Sequence, residues 1–428
     1  MIPFPEDFLH YLWKFRQFDW KNLRTTSDDP IEIVSNGIHN KDSGPDFGHA
    51  RLRIAGTVWA GNVEIHLRSS DWDRHNHSQD KAYDNVILHV VYLHDKQVFR
   101  SDGSEIQTLE LNQRIPVQIE SRYQQLIQNM NWIPCENQIA ELNKIHIKNW
   151  LSRVLIERLE EKTRQVDHIL QEYKGSWDDA FYVMLARNFG FKINSLPFEL
   201  MARSLSQQIL ARHKHNDLQI EALIFGQAGF LADKRSDVYG KLLQKEYAYL
   251  QKKYDLKSLD RFIWKFLRLR PQNFPTVRLA QFAALVIKSN HLFSKIIAAD
   301  IKQLRELFTD LPVNNYWKTH FRFDKETGFN SGQIGDDAVN NILLNTISLF
   351  LFSYGKYTGN GYYMNASLAL LENLPSETNH IIRRFNEIGV NSDKADSSQA
   401  LLQLKKYYCD EKKCLNCGIG IQLINKDL

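Results

Sequence analysis

The spacing of apolar residues changes character about a third of the way along the chain. From Glu6 to Phe18 the apolar positions recur at helical period, which puts Phe8, Leu9, Leu12, Trp13 and Phe15 on one face. Alternation of period two then takes over. Ile31-Glu32-Ile33-Val34 stops at Asn36-Gly37, Ala50 to Ile54 turns at Ala55-Gly56, and Val58-Trp59 leads into Asn62-Val63-Glu64-Ile65-His66-Leu67. Val86 to Tyr92 is almost unbroken in apolar residues, the pattern of a central strand buried on both faces. Val98 to Arg100 and Ile106 to Leu111 flank the turn Ser101-Asp102-Gly103. The stretch from Ser69 to Asp84 is polar and reads as a loop with one helical turn.

From about Ile145 the period becomes 3.6 and stays there. Helices are expected over 145–159, 177–189, 197–213, 217–231, 240–253, 257–268, 275–289, 294–308, 336–354, 364–372, 376–389 and 397–408, separated by Pro and Gly punctuation. The expected class is therefore α+β. A mixed-sheet domain over 1–120 is followed by a junction over 121–145 and a helical domain over 146–428 that carries a C-terminal cysteine cluster.

Composition narrows the class without naming a reaction. The 428 residues include 54 Lys+Arg against 50 Asp+Glu and 43% apolar residues, which excludes wholesale disorder and fibrous repeats. No segment has the length of uninterrupted apolar chain that a membrane span needs, and Met1 to Asp7 lacks the features of a signal peptide. Four cysteines cannot staple a chain of this size, so a reducing, cytoplasmic setting is expected. Charge is uneven: residues 1–140 carry a net −5 and the rest +9, and eight of the 15 histidines lie between His10 and His94. A polar site in the first part and a polyanion surface in the second would both fit. Solvated helix faces would fit the second equally well.

The chemistry-bearing stretch is Asp42-Ser43-Gly44-Pro45-Asp46-Phe47, followed 17 residues later by Glu64-Ile65-His66. Residues i and i+2 of a strand share a face, so Glu64 and His66 project together, and Asp46 joins them if its strand pairs with theirs. Converging carboxylates can hold Mg²⁺ or Mn²⁺, with Glu6 and Glu32 as further acidic candidates. The alternative is a Gly-Pro-Asp turn beside an exposed strand face. A second ligand set lies in Ser70 to Asp80, where His75 and His77 stand among Asp71, Asp73 and Asp80. A His-x-His pair can chelate Zn²⁺ or Mn²⁺, with His66 and His89 able to complete the site. The other reading has these side chains fixing the loop and His89 as a hydrogen-bonded core residue. In the helical part Trp264 to Pro271 interleaves bases with aromatics; Arg268, Arg270 and Arg278 are candidates for binding nucleic acid, or for capping helices and pairing with acids. Cys409-x4-Cys414-x2-Cys417 forms a metal knuckle lacking one ligand, and Cys135 is the only cysteine left to supply it. Zn²⁺ and a 4Fe–4S cluster both accept four cysteines, and free thiols are the alternative.

The N-terminal arrangement resembles the PD-(D/E)xK nuclease superfamily, in which a helix precedes a hairpin, the Asp opens its second strand and Glu-x-Lys lies on the third. The resemblance implies a restriction-endonuclease-like fold for the mixed-sheet domain and a catalytic set of Asp46, Glu64 and His66, with His66 standing where the lysine should be. It implies a metal-dependent phosphodiesterase acting on nucleic acid, or, given that replacement, a non-catalytic nucleic-acid-binding or scaffold protein on a degraded core. Over nearly its full length the chain also resembles a bacterial family known as domain of unknown function 2851. The segments that carry this are Asn40 to Phe47, Trp59 to His66, Ser70-Asp71-Trp72 with His75-Asn76-His77, Ile87 to Tyr92, Glu221 to Gly229, Arg268 to Pro275 and Tyr408 to Gly420. That family implies no activity, and neither resemblance sets an oligomeric state.

Overall fold

The computed structural model describes residues 4–40, 42–289 and 291–426. Met1 to Pro3, at the start of the expected leaderless N-terminus, and Lys41, within one of the family-like segments, lie outside the described residues. The chain divides into two compact units, one of 1–150, 384–390 and 403–428, the other of 151–383 and 391–402. This departs from the linear division at 120 and 146. The C-terminal cysteine segment belongs with the sheet, because apolar residues of the helix Gly418–Ile424 are buried in that unit.

The first unit is α+β, built on a seven-stranded mixed sheet. Helix α1 (Glu6–Phe15) leads into β1 (Leu23–Arg24), β2 (Pro30–Ser35), β3 (Ile38–His39), β4 (Phe47–Ile54) and β5 (Thr57–Arg68). A short helix α2 (Asp71–Arg74) and two 3-10 turns then precede β6 (Val86–Leu93), β7 (Thr108–Glu110) and helix α3 (Val117–Gln128). The order across the sheet is β1-β2-β4-β5-β6-β7, with β3 also on β4. Pairings are antiparallel as far as β5; β5–β6 and β6–β7 are parallel. The unbroken Val86 to Tyr92 run is explained by this placement, since β6 has a neighbour on each edge and six of its residues are buried.

Several expected elements differ in the structure. Helix α1 ends at Phe15, where Arg16 adopts a left-handed conformation, so Phe15 stays 41% exposed and only Phe18 of the following residues is buried. Val98 to Arg100 forms an isolated bridge between Phe99 and Glu105, not a strand. The 121–145 junction is partly helical, because α3 buries Ile119, Tyr123 and Leu126.

In the second unit the expected 177–189 helix is Trp177–Phe189, capped by Ser176. The expected 197–213 helix is two, Phe191–Ser204 and Gln207–Arg212. The expected 257–268 helix is absent: this segment holds one 3-10 turn, Arg261–Ile263, and an Arg268 with φ +61°. Its apolar residues Phe262 and Leu267 point outward and only Trp264 is buried, against Phe198 and Phe230, so the helical period there had no continuous buried face to serve. No helix among the described residues is long and apolar enough to cross a membrane.

Candidate metal site on the mixed sheet

Two irregularities in the sheet set the site. Strands β4 and β5 pair Phe47 with Val63 but Ala50 with Gly61, so one residue is gained between them. The bulge contains His49, whose φ of +58° is the left-handed conformation such bulges use. Extending the Phe47 pairing outward sets Asp46 against Glu64; without the bulge every side chain on the outer half of β4 would change face. Gly37 lies against the same bulge: a Cβ there would sit 2.6 Å from the carbonyl oxygen of Gly48. A second register shift, between Asn62 and Val63, brings Glu64 beside His89 of β6.

Glu64, His66 and His89 thereby share one face, and the loop after β5 folds back over it. That loop is fixed by groups the sequence reading did not weight. Asp95 accepts from the Ser70 backbone N–H and from the hydroxyls of Ser69 and Ser70. Asp71 Oδ2 accepts from Arg68 N–H. Trp72 is wholly buried with Val86, Val98 and Ile106, and its Nε1 donates to the Phe99 carbonyl. With Trp72 anchored, His77 is held between the Trp72 edge and the Tyr83 face, the latter at a centroid distance of 3.7 Å.

The result is a cluster of imidazoles. His66, His75 and His77 each offer a ligand atom within 4.8 Å of the other two, the only such group of three His, Cys, Asp or Glu ligands among the described residues. His75 Nδ1 stands 3.1 Å from His66 Nε2. Glu64 Oε1 stands 3.5 Å from His66 Nε2 and 3.4 Å from His77 Nε2. Ligands bound tetrahedrally at 2.0–2.1 Å are about 3.3 Å apart; the printed pairs approach this spacing, but the mutually close group is the three imidazoles, with Glu64 beside His66 and His77. His66 Nδ1 lies 2.9 Å from His89 Nε2. A donated Nδ1–H there leaves the His66 Nε2 lone pair free to bind, the usual outer support of a ligating histidine. The donor set of three imidazoles and one carboxylate favours Zn²⁺ or Mn²⁺ over Mg²⁺. The Asp46–Glu64 pair and the His75–His77 loop, two separate candidates in the sequence, thus meet at one place through Glu64 and His66.

Electrostatics follow burial. Desolvation, with the other imidazoles adding, holds His66 neutral far below the ordinary range. Desolvation likewise takes His89 down to about 3 and pushes the Glu64 carboxyl up. His75 is the exposed member of the trio and gives the cluster its opening to solvent.

Asp46 stands at the edge of this group. Its Oδ2 accepts from Ile65 N–H at 2.9 Å and lies 3.3 Å from His10 Nε2, while its own N–H donates to Glu64 Oε2 at 3.1 Å. Helix α1 supplies His10 and Glu6, whose Oε1 is 3.9 Å from His10 Nε2. Burial raises the Glu6 carboxyl to about 7, with Asp46 and Glu64 adding to the rise against the pull of His10. Of the two acidic candidates, Glu6 reaches the site and Glu32 does not; Glu32 pairs with Arg53 at 2.8 Å on the exposed surface of β2 and β4.

Elsewhere the candidates separate. Arg268 and Arg270 are exposed. Arg278 is buried; it donates to Gln281 Oε1 and Asn273 Oδ1 and lies over the Phe191 ring, while its Nε is buried without a hydrogen-bond partner among the described residues. Cys135, Cys414 and Cys417 are buried, Cys409 is partly so, and all four are thiols outside any disulfide.

Fold and site together define an α+β protein with a histidine-rich candidate metal site on a mixed sheet. The chain belongs to the family described as Protein of unknown function (DUF2851), which matches residues 6–380. Neither a curated protein nor a solved structure matches it.

Proposed function

We propose that the protein is a metal-dependent phosphodiesterase acting on nucleic acid. The observation that carries this reading is the Glu64–His66–His75–His77 cluster beside Asp46, where β4, β5 and β6 meet. Support comes from the order of elements. A helix, an antiparallel β2–β4–β5 run and a parallel β6 resemble the order of elements in the PD-(D/E)xK core, in which Pro45-Asp46 and Glu64-x-His66 would be the motif residues. A Zn²⁺ or Mn²⁺ ion held there would acidify a bound water and stabilise charge developing on a phosphate. Glu64, His66 and His77 are fixed by the sheet and by Tyr83, while the exposed His75 borders the entry for substrate. Asp46 and Glu6, on either side of His10, are placed to accept a proton at that entry.

A second reading, a non-catalytic nucleic-acid-binding or scaffold protein, is favoured by one observation. His66 is 1% exposed and its two ring nitrogens stand against His89 and His75, a packed arrangement more usual in structural than in open catalytic sites. His66, standing where the superfamily has lysine, faces the cluster and not the solvent. One experiment separates the two: metal analysis of the purified protein, with cleavage of single-stranded, duplex and branched DNA and of RNA under Mg²⁺, Mn²⁺ and Zn²⁺. In the first reading Glu64→Gln and the double variant His75→Ala/His77→Ala lose both metal and cleavage. Bound metal with no cleavage under any ion supports the second. Unchanged metal content in the double variant assigns His75 and His77 to loop structure and overturns the first reading.

A further inference from the structure

The four cysteines lie 282 positions apart at their extremes, yet all fall in the first unit. Trp132, three residues before Cys135, packs edge-on against Phe385 at 4.8 Å and lies under Lys405 Nζ at 5.2 Å, four residues before Cys409. After Cys409 the backbone doubles back: Lys412 N–H donates to the Cys409 carbonyl, Lys413 N–H to that of Tyr408, and Cys417 N–H to that of Cys414. The last of these closes a 3-10 turn, Cys414–Asn416, that leads into Gly418–Ile424. The turn is packed to the limit. A Cβ on Gly420 would lie 2.2 Å from the Cys414 carbonyl oxygen, and one on Gly418 would lie 2.7 Å from the Trp150 ring.

We propose that the sulfurs of Cys135, Cys409, Cys414 and Cys417 bind one metal centre, and that this centre braces the back of α1, the helix that brings Glu6 and His10 to the histidine site. Buried thiols that repel one another as thiolates are stabilised by a metal that takes all four. Here Cys135, Cys414 and Cys417 are buried and Cys409 is partly so, with the Cys414–Asn416 turn closing between two of them. Lys405 beside Cys409 and Lys412 beside Cys414 would offset the negative charge of a loaded site. An all-thiolate set is shared by Zn²⁺ and by a 4Fe–4S cluster. Zinc at 2.3 Å from each sulfur needs them about 3.8 Å apart. Among the described residues no three of these sulfurs come within 4.8 Å of one another, so a zinc ion would draw them closer on binding.

The bracing follows from what the turn touches. Helix α1 packs against Cys414–Asn416, and Tyr11 Oη donates to Asn425 Oδ1 at 2.7 Å. The Phe8 ring stacks on Tyr123 at 4.7 Å, and the Tyr123 hydroxyl is raised by burial and then by Cys414 beside it. Phe8 and Tyr11 therefore face the cysteine turn, while Glu6 and His10, one turn apart, face Asp46.

The proposal is independent of what the histidine site does, and its test keeps the two apart. The full chain is purified under nitrogen and assayed for zinc, iron and acid-labile sulfide, beside Cys135→Ser, Cys414→Ser and the His75→Ala/His77→Ala double variant. Iron and sulfide in equal amounts with a visible charge-transfer band, or alternatively one zinc, support the centre if both Cys→Ser variants lose it and the histidine variant keeps it. Wild-type protein free of metal with four titratable thiols overturns the centre without recourse to a variant, as does a Cys135→Ser protein with wild-type content. Hydrogen exchange reads the brace: amides of residues 8–15 lose protection at least tenfold when the centre is removed, and unchanged protection overturns that part.

Discussion

Arg278 and His66 are buried polar side chains, one in each unit, and their surroundings differ in kind. Arg278 meets groups that complement it: Gln281 and Asn273 oxygens accept its N–H groups and the Phe191 ring takes its face. Burial lowers it to about 10, still charged at neutral pH. His66 meets its own kind on both sides, with a His89 nitrogen at one ring atom and a His75 nitrogen at the other. A neutral imidazole has one N–H and one lone pair, so a row of imidazoles is satisfied only by a particular placement of protons or by a cation. The first pattern holds a fold together. The second gathers ring nitrogens whose lone pairs a cation can take up in place of N–H···N contacts, which a metal site requires.

That contrast can be broken or sharpened by substitution. The largest effect is expected for Arg278→Ala, which strips partners from a buried cluster and opens space against Phe191. It should cost about 3 kcal/mol in urea unfolding, as breaking a buried charged contact does, with bound metal unchanged. Loss of metal in that variant would undo the separation of roles. Glu221 is next. Its buried carboxyl accepts from Asn314 and is raised by burial from 4.5 to about 7. A raised folded value means a stabilising contribution present below pH 4.5 and lost as the pH rises through about 7. Glu221→Gln should therefore gain on the order of 1–2 kcal/mol relative to wild type between pH 5 and pH 8. Equal slopes of stability against pH would sink this. His89→Ala acts on the other unit, removing the outer support of His66. Metal affinity should fall about tenfold or more while the metal-free protein stays folded, measured by competition with a chelator. The smallest effect belongs to the exposed Arg268→Ala, within about 0.5 kcal/mol in stability. A clear fall in nucleic-acid affinity with that variant would support a nucleic-acid surface at this residue.

Much of the first unit could be read along the chain because its signals are local. Strand alternation over Ile31 to Val34, Ala50 to Ile54 and Asn62 to Leu67 depends only on which neighbour faces the core, and the strands follow it. The site residues Asp46, Glu64, His66, His75 and His77 were legible as residue types at suggestive spacings. His66 links the two sets along the chain, but the closeness of Glu64 to His77 has no local signal, for a definite reason. The loop carrying His75 and His77 is turned back onto the sheet by Trp72 and Asp95, and neither contact has a sequence signature at short range. Conversely the 257–268 segment had the helical period and no helix, since periodicity stabilises a helix only where a partner surface buries the face.

The sequence by itself determined the α+β class, the strand and helix types, and the presence of a carboxylate–histidine set and a four-cysteine set. Those properties follow from side-chain chemistry and from periods of two and 3.6. Tertiary structure alone decided that Asp46 faces Glu64, because one residue gained at His49 sets the face of the outer half of β4. It alone decided that Glu64 and His66 meet the His75–His77 loop, and that the C-terminal cysteines join the unit of the N-terminal sheet. These are contacts between distant segments, fixed by register and burial, and the free energy that selects them exists only once the segments pack.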